Sequence, residues 1–347
     1  MHGTSWTNWN TRFIFLVLKN HWHWQGLLIV IDSQDRIALG KTDIMISPMG
    51  IGTWAWGDRI YWGYGRNYSE PEVRTAFETS LNAGINFFDT AEIYGQGHSE
   101  RILGQFIREM SSSEDVNLII ATKFYPYPWR IWSKSLKFAI EGSLKRLQID
   151  SIDLYQIHYP YPPVSIETWA SALADTVEDG LARTVGVSNY NSSQMRRAHT
   201  VLVKRNVLLA SNQVNYSLLN RKIEKNGLLK LCHELGVSCI AYSPLAQGAL
   251  TGKYSPQKPL SGIRGRIYSA KLLSQAEPLL RLMREIGRAH DGKTLSQVAL
   301  NWVICKGAIP IPGVKNHQQT QENIGALGWR LRVDEVLALD QASDRLG

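Results

Sequence analysis

The stretch Asn86-Phe87-Phe88-Asp89-Thr90-Ala91-Glu92-Ile93-Tyr94 poses the fold problem, because an apolar run of strand length ends in two carboxylates and a phenol. Its strand part is Asn86–Ala91, and working outward, seven further short runs rich in Val, Ile, Phe or Tyr share that texture. They are Met49–Thr53, Leu118–Phe124, Ile152–His158, Arg183–Asn189, Leu209–Tyr216, Ser238–Pro244 and Ala308–Gly313. Runs of this kind mark strands buried on both faces, as in a parallel sheet covered by helices. Their starts lie roughly 26 to 37 residues apart until a last gap of about 70, the rhythm of βα units.

Helix signals fill the gaps. Ser69 caps a segment with Pro71 in its first turn, Val73, Phe77 and Leu81 on one face, and Gly84 at its end. Ser165 opens Ile166–Asp179, with Trp169, Leu173 and Val177 aligned before Gly180. Gln275–His290 and Thr294–Lys306 occupy the long last gap. Eight strands with interleaved helices predict an α/β fold, a (β/α)8 TIM barrel rather than an open sheet. Ile37–Thr42 and Ile44–Pro48 are expected to form an N-terminal hairpin closing the barrel bottom.

Composition agrees with a globular protein. The chain has 347 residues, 44% of them apolar, enough for a full core and too many for a disordered chain. Its three cysteines (Cys232, Cys239, Cys305) form no CxxC pair, which argues for a reducing compartment, expected to be cytoplasmic, and against a zinc framework. The formal charge of +8 is dispersed, with no basic stripe for nucleic acid. Trp6, Trp9, Trp22 and Trp24 crowd the first residues, but no apolar run there reaches the roughly 20 residues of a membrane span, and no targeting signal fits. We expect residues 1–36 to be an extension of unknown role and 37–347 to be the barrel, a monomer or weak homo-oligomer without nucleic-acid or membrane partners.

Barrel function sits at the C-terminal ends of the strands. Four of those ends present Asp89 with Tyr94, Lys123, His158, and Ser188-Asn189. A Tyr hydroxyl, with an ordinary pKa of about 10, is a poor proton donor at neutral pH. An ammonium beside it is expected to lower that pKa, and a carboxylate keeps the ammonium charged. With a His to orient a carbonyl oxygen, the set suits protonation of an oxygen becoming an alkoxide, which is carbonyl reduction.

The segment Gly84-Ile85-Asn86-Phe87-Phe88-Asp89-Thr90-Ala91, continued to Tyr94 and Glu100-Arg101-Ile102-Leu103-Gly104, resembles the first signature of the aldo-keto reductases, in their bacterial and plant-type branch. The similarity runs from about Ile37 to the C-terminus. It implies NADPH-dependent reduction of an aldehyde or ketone, with Tyr94 as general acid, Asp89 and Lys123 tuning it, and His158 orienting a small-molecule carbonyl substrate. Ile85-Asn86 departs from the aromatic-Arg pair of many members, and the spacing from Ala91 to Glu100 is longer. Gly50-Ile51-Gly52-Thr53-Trp54-Ala55 only loosely imitates a Rossmann turn, since an aromatic, Gly-rich stretch follows instead of a helix.

The resemblance implies NADP lying extended across the mouth. Gly52, Thr53 and Trp54 would lie against the nicotinamide, Ser188, Asn189 and Gln213 would meet its carboxamide, and Tyr242 would stack on its ring. Ser243, Pro244, Leu245, Gln247, Gly248 and Leu250 would fold over the pyrophosphate, with Lys253 and Arg264 or Arg266 adding charge. Gly313, Lys315, Gln319, Glu322 and Asn323 would hold the adenosine end, Lys315 favouring a 2′-phosphate and so NADPH. No metal is expected: Asp89, Glu92, His98 and His158 lack His-x-His spacing, and Lys123 would repel a cation. Trp56, Trp62, Tyr125, Tyr127, Trp129 and Tyr159 are expected to line an aromatic substrate pocket, leaving pyridoxal, sugar-derived and lipid-derived aldehydes open. The alternative is an NADPH-binding regulatory barrel with negligible turnover, resembling potassium-channel β subunits.

Overall fold

The computed structural model describes residues 36–110 and 117–346. The expected N-terminal extension, Arg36 excepted, lies outside the described residues. Strands β1 (Ile37–Ala38) and β2 (Met45–Ile46) pair antiparallel as the expected hairpin. Leu39, Ile44 and Ile46 are at most 2% exposed and pack with Phe87, Ile119, Leu154 and Ile240 in one apolar cluster at the barrel floor. Gly40 turns the hairpin with φ +63°, and a Cβ there would come within 2.5 Å of the Ala210 carbonyl oxygen, so a side chain is excluded.

The barrel strands are β3 (Ile51–Gly52), β4 (Phe87–Asp89), β5 (Ile119–Phe124), β6 (Ile152–Ile157), β7 (Ala182–Ser188), β8 (Leu209–Asn215), β9 (Ser238–Tyr242) and β10 (Ile309–Ile311). They lie side by side in sequence order, all parallel. Gly50 N and Gly52 N donate to the Pro310 and Pro312 carbonyls at 3.0 and 3.1 Å, which joins the first strand to the last. This is the expected (β/α)8 barrel.

The departure at Ile85-Asn86 has a structural consequence. Asn86 is buried and ties the hairpin to the barrel: its Oδ1 accepts from Ser47 N at 2.8 Å, and its Nδ2 donates to the Met45 and Asn117 carbonyls at 3.0 and 2.9 Å.

Helix Glu70–Asn82 starts where Ser69 N donates to the Glu72 carboxylate at 2.9 Å and buries Val73 and Phe77. Ser165 and Thr294 cap Ile166–Glu178 and Leu295–Cys305 through their hydroxyl oxygens. Most boundaries move by one or two residues, the strands expected at Met49–Thr53 and Ala308–Gly313 shrinking to Ile51–Gly52 and Ile309–Ile311, and one helix moves further. The helix expected at Gln275–His290 runs Ala270–Ala289, capped by Ser269, so Pro278 lies within it rather than in its first turn.

Side-chain alternation along the strands positions the site. On β4, Phe87 sits in the floor cluster and Asp89 two residues on is at the mouth; on β5, Ile119 and Ala121 precede Lys123 on the same side. On β6, Leu154 is in the floor cluster and Gln156 reaches Asp89. The intervening Phe88, Ile120, Tyr155 and Ile157 pack outward in the core between sheet and helices. Period-2 alternation therefore stacks an apolar floor beneath a polar mouth.

Candidate active site

Tyr94 begins a tight turn, Tyr94–Gly97, in which Gly95, Gln96 and Gly97 are left-handed. A Cβ on Gly95 would lie 2.8 Å from the Gly57 carbonyl oxygen, so this glycine lets the turn close on the loop after β3. Behind it, the buried hydroxyl of Ser99 meets Thr53 Oγ1 at 2.8 Å and Thr90 Oγ1 at 2.9 Å, binding the turn to β3 and β4.

The structure brings Asp89, Tyr94, Lys123 and His158 together. The Lys123 ammonium, fully buried, pairs with Asp89 Oδ1, donates to the Thr90 carbonyl at 2.8 Å, and lies 3.4 Å from the Tyr94 hydroxyl. Asp89 Oδ2 accepts from Gln213 Nε2 at 2.8 Å and Gln156 Nε2 at 3.3 Å. The Tyr94 ring stacks on Trp54 at 6.0 Å and stands edge-on to His158 at 5.8 Å. His158 Nδ1 is buried with no hydrogen-bond partner.

Charge in this corner differs from the simple expectation of a lowered Tyr94 pKa. Burial, and then the Asp89 carboxylate, push Tyr94 well above the ordinary phenol value. The ammonium beside it is already engaged by Asp89 and Thr90, so desolvation of a tyrosinate dominates. Burial lowers Lys123 while Asp89 opposes the shift. Burial, with Lys123, holds His158 well below the usual imidazole range, so its ring is neutral at pH 7. The resting site thus presents a protonated phenol and a neutral imidazole.

These groups open onto an elongated cavity of about 930 Å³ reaching from Asp89 to Asn323. The cofactor-site expectations fall on its wall at Gly52, Trp54, Ser188, Asn189, Gln213 and Tyr242, then at Ser243, Pro244, Leu245, Gln247 and Gly248. Lys253, Arg264, Lys315, Gln319, Glu322 and Asn323 continue the wall, and Gly313 lines it beside Gly52, with which it bridges. Gln213 has its amide nitrogen committed to Asp89, leaving Oε1 as its free polar atom, and Tyr242 OH donates to Asn189 Oδ1 at 3.0 Å. Three residues fall elsewhere: Thr53 and Leu250 are buried off the wall, and Arg266 is an exposed side chain outside it.

At the far end Lys315 lies 4.8 and 4.6 Å from the Trp62 and Tyr68 ring centroids, donates to the Trp62 carbonyl at 3.2 Å, and has Arg264 nearby. Burial, and then Arg264, lower its pKa to about 8, with the Asp58 carboxylate opposing the shift. The loop carrying Trp62 is strapped over this end, since Tyr61 OH donates to Gln247 Oε1 at 2.7 Å. Trp62 Nε1 is buried without a partner. Crowded cations and an orphaned N–H fit the phosphates of a dinucleotide.

The substrate expectations divide. Tyr125 and Tyr159 line the cavity, and Tyr161 joins them. His158, Tyr159 and Tyr161 form a near-parallel stack at 5.1 and 4.8 Å, with Tyr125 edge-on to all three. Trp62 also lines the cavity, edge-on to Trp54 at 5.5 Å on one side and against Lys315 on the other. Trp56 does not line the pocket: it is fully buried, packs on Phe77, Phe88 and Phe106, and donates from Nε1 to the Val314 carbonyl at 2.9 Å. Tyr127 and Trp129 stack on each other outside the cavity wall, Trp129 being 71% exposed.

Sequence reading missed Asp58 and Tyr254 on the wall and Gln156 behind Asp89. Gln156 carried a signal, being a polar residue at an inward position two before His158. Among the described residues no helix is long and apolar enough to cross a membrane, and no group of three or more His, Cys, Asp or Glu could hold a metal.

Comparison with known proteins agrees with this geometry. The Aldo/keto reductase family profile matches residues 48–344. The chain is 42% identical over 342 residues to a chloroplastic pyridoxal reductase of Arabidopsis thaliana, covering 96% of this chain and 90% of the relative. It is 31% identical to L-glyceraldehyde 3-phosphate reductase of Escherichia coli K12, covering 87% and 90%. An aldo-keto reductase of Klebsiella pneumoniae solved with NADPH superposes with a TM-score of 0.67 at 26% identity, covering 88% of this chain and 94% of that one. These matches place the chain among oxidoreductases that reduce carbonyl compounds with NADP. It belongs to the aldo/keto reductase family.

Proposed function

We propose that this enzyme reduces flat aromatic aldehydes of the pyridoxal type with NADPH, and that Tyr94 is the general acid. The observation that carries the acid assignment is the 3.4 Å approach of Lys123 Nζ to the Tyr94 hydroxyl, with Asp89 behind it. A reduced nicotinamide bound along this wall would supply the hydride that the carbonyl carbon accepts. The neutral His158 and the protonated Tyr94 flank the carbonyl oxygen; as negative charge grows there, Tyr94 gives up its proton and Lys123 stabilises the tyrosinate left behind. Asp89 keeps the buried Lys123 charged, and water restores the tyrosine proton afterwards.

In this reading Ser188, Asn189 and Gln213 would meet the carboxamide, Tyr242 would cover the ring, and Lys253, Arg264 and Lys315 would hold the phosphates. The aromatic reading is supported by the stacked His158, Tyr159 and Tyr161 rings and by the name of the Arabidopsis relative. Purified protein should oxidise NADPH with pyridoxal and benzaldehyde. Tyr94→Phe should lower kcat by about 10²–10⁴ while retaining NADPH affinity. Full activity in that variant removes Tyr94 from the role, and NADPH binding without turnover across a carbonyl panel favours the regulatory barrel.

A further inference from the structure

The loop after β5 carries Tyr125 into the cavity wall, and an ion pair fixes it there. Glu92 lies on the catalytic loop two residues before Tyr94, and Arg130 lies on the loop after β5, 38 residues away in sequence. The two meet in a fork: Arg130 Nη1 pairs with Glu92 Oε1, and Nη2 donates to Oε2 at 3.1 Å. Both polar groups of the Tyr125 backbone close on this pair. Tyr125 N donates to Glu92 Oε1 at 2.6 Å, and the Tyr125 carbonyl accepts from Arg130 Nη1 at 2.9 Å.

The guanidinium also lies 4.9 Å from the Phe124 ring centroid and 5.2 Å from that of Tyr127. The side chains are only 22% and 9% exposed, so the pair is shielded from solvent and salt, unlike a surface ion pair. A bidentate Arg–carboxylate fork fixes direction as well as distance, which Lys in the same place would not. Its contacts lead to Tyr125, whose ring stands edge-on to His158 at 5.6 Å and to Tyr159 and Tyr161 at 6.2 Å.

We propose that Glu92 and Arg130 are specificity-determining positioning residues that staple Tyr125 into the wall of the aromatic slot. The proposal rests on the aromatic-aldehyde reading given above. The pair fixes the slot's angle for a flat ring and leaves the proton transfer from Tyr94 untouched. A substrate too small to reach Tyr125 is indifferent to the staple.

The test compares pyridoxal, benzaldehyde and propanal as substrates of the full-length enzyme and of the Arg130→Met, Arg130→Lys and Glu92→Gln variants. Arg130→Met should raise KM for the aromatic aldehydes about tenfold, with kcat little changed, a loss equivalent to about 1.4 kcal/mol. Propanal kinetics and the NADPH Kd, read by protein fluorescence, should stay at the wild-type values, which also shows that the variant is folded. Glu92→Gln keeps an acceptor for Tyr125 N but loses the charge, and Arg130→Lys keeps the charge but loses the fork; both should fall between. Equal losses on propanal and the aromatic aldehydes, or an unchanged aromatic KM, would overturn the staple. Wild-type enzyme that reduces propanal but neither aromatic aldehyde overturns the substrate reading instead, a separate failure.

Discussion

The two ends of the cavity treat positive charge in opposite ways. At the Tyr94 end, the Lys123 ammonium is wholly buried and is met by the Asp89 carboxylate, a backbone carbonyl and a phenol. Asp89 is itself held by two carboxamides. At the other end, Lys315 rests on two aromatic rings beside Arg264, and its hydrogen bond among the described residues goes to a neutral carbonyl. The first cation is balanced before anything binds. The second has no ion pair among the described residues, the Asp58 carboxylate acting on it only from a distance, and it gains a close counter-charge when an anion arrives. A charge that tunes a proton donor must not depend on what enters the site, whereas a charge that recruits a phosphate gains affinity by being left short.

One chemical change made at both ends breaks the comparison most sharply. Lys123→Met leaves a buried carboxylate unpaired and should cost about 3–5 kcal/mol of stability, along with most of the turnover. Adding Asp89→Asn should return much of the stability and none of the activity, a coupling readable from urea denaturation. An unchanged denaturation midpoint in Lys123→Met would show that the pair is not balanced as described. Lys315→Met should act in reverse, sparing stability because it removes a cation that burial already disfavours. NADPH binding should weaken about tenfold to a hundredfold, an amount typical of a charge-assisted contact, while NADH binding changes little. Equal weakening of both cofactors would remove Lys315 from the 2′-phosphate.

How much of this was readable before the structure follows the same division. The strands were legible because burial on both faces leaves unbroken apolar runs, and the four proposed catalytic groups because polar residues close those runs at the mouth. The hairpin was legible from its two short apolar pieces. Trp56 was misplaced because an aromatic residue after a strand does not reveal which way it turns; here Gly57 and the Phe77, Phe88 and Phe106 rings direct it inward. The direction of the Tyr94 shift was also hidden. It depends on desolvation and on the Lys123 charge being spent on Asp89, and neither is a property of spacing. Glu92 and Arg130 were invisible as a pair, since no local pattern links residues on two loops.

The smallest expected effect is the most diagnostic of the unbalanced end. Lys315 has its pKa lowered from the ordinary lysine value to about 8. Below that pH the side chain is charged in both the folded and unfolded chain, and above it the folded chain loses the proton first. The unfolded chain therefore binds more protons between pH 8 and the ordinary lysine value, so this group makes stability rise with pH in that window. Cofactor affinity should run the other way. A 2′-phosphate is dianionic at these pH values and favours the ammonium, so NADPH should bind best below pH 8 and weaken several-fold as pH passes through it. The measurement is the ratio of NADPH to NADH dissociation constants from pH 7 to 9.5. The ratio should be flat in Lys315→Met, and Lys315→Arg should carry the NADPH preference unchanged to the top of the range, because guanidinium keeps its proton there. A wild-type ratio that does not move across pH 8 would mean that the short-charged end is neutralised by the protein itself, and the contrast between the two ends would fail.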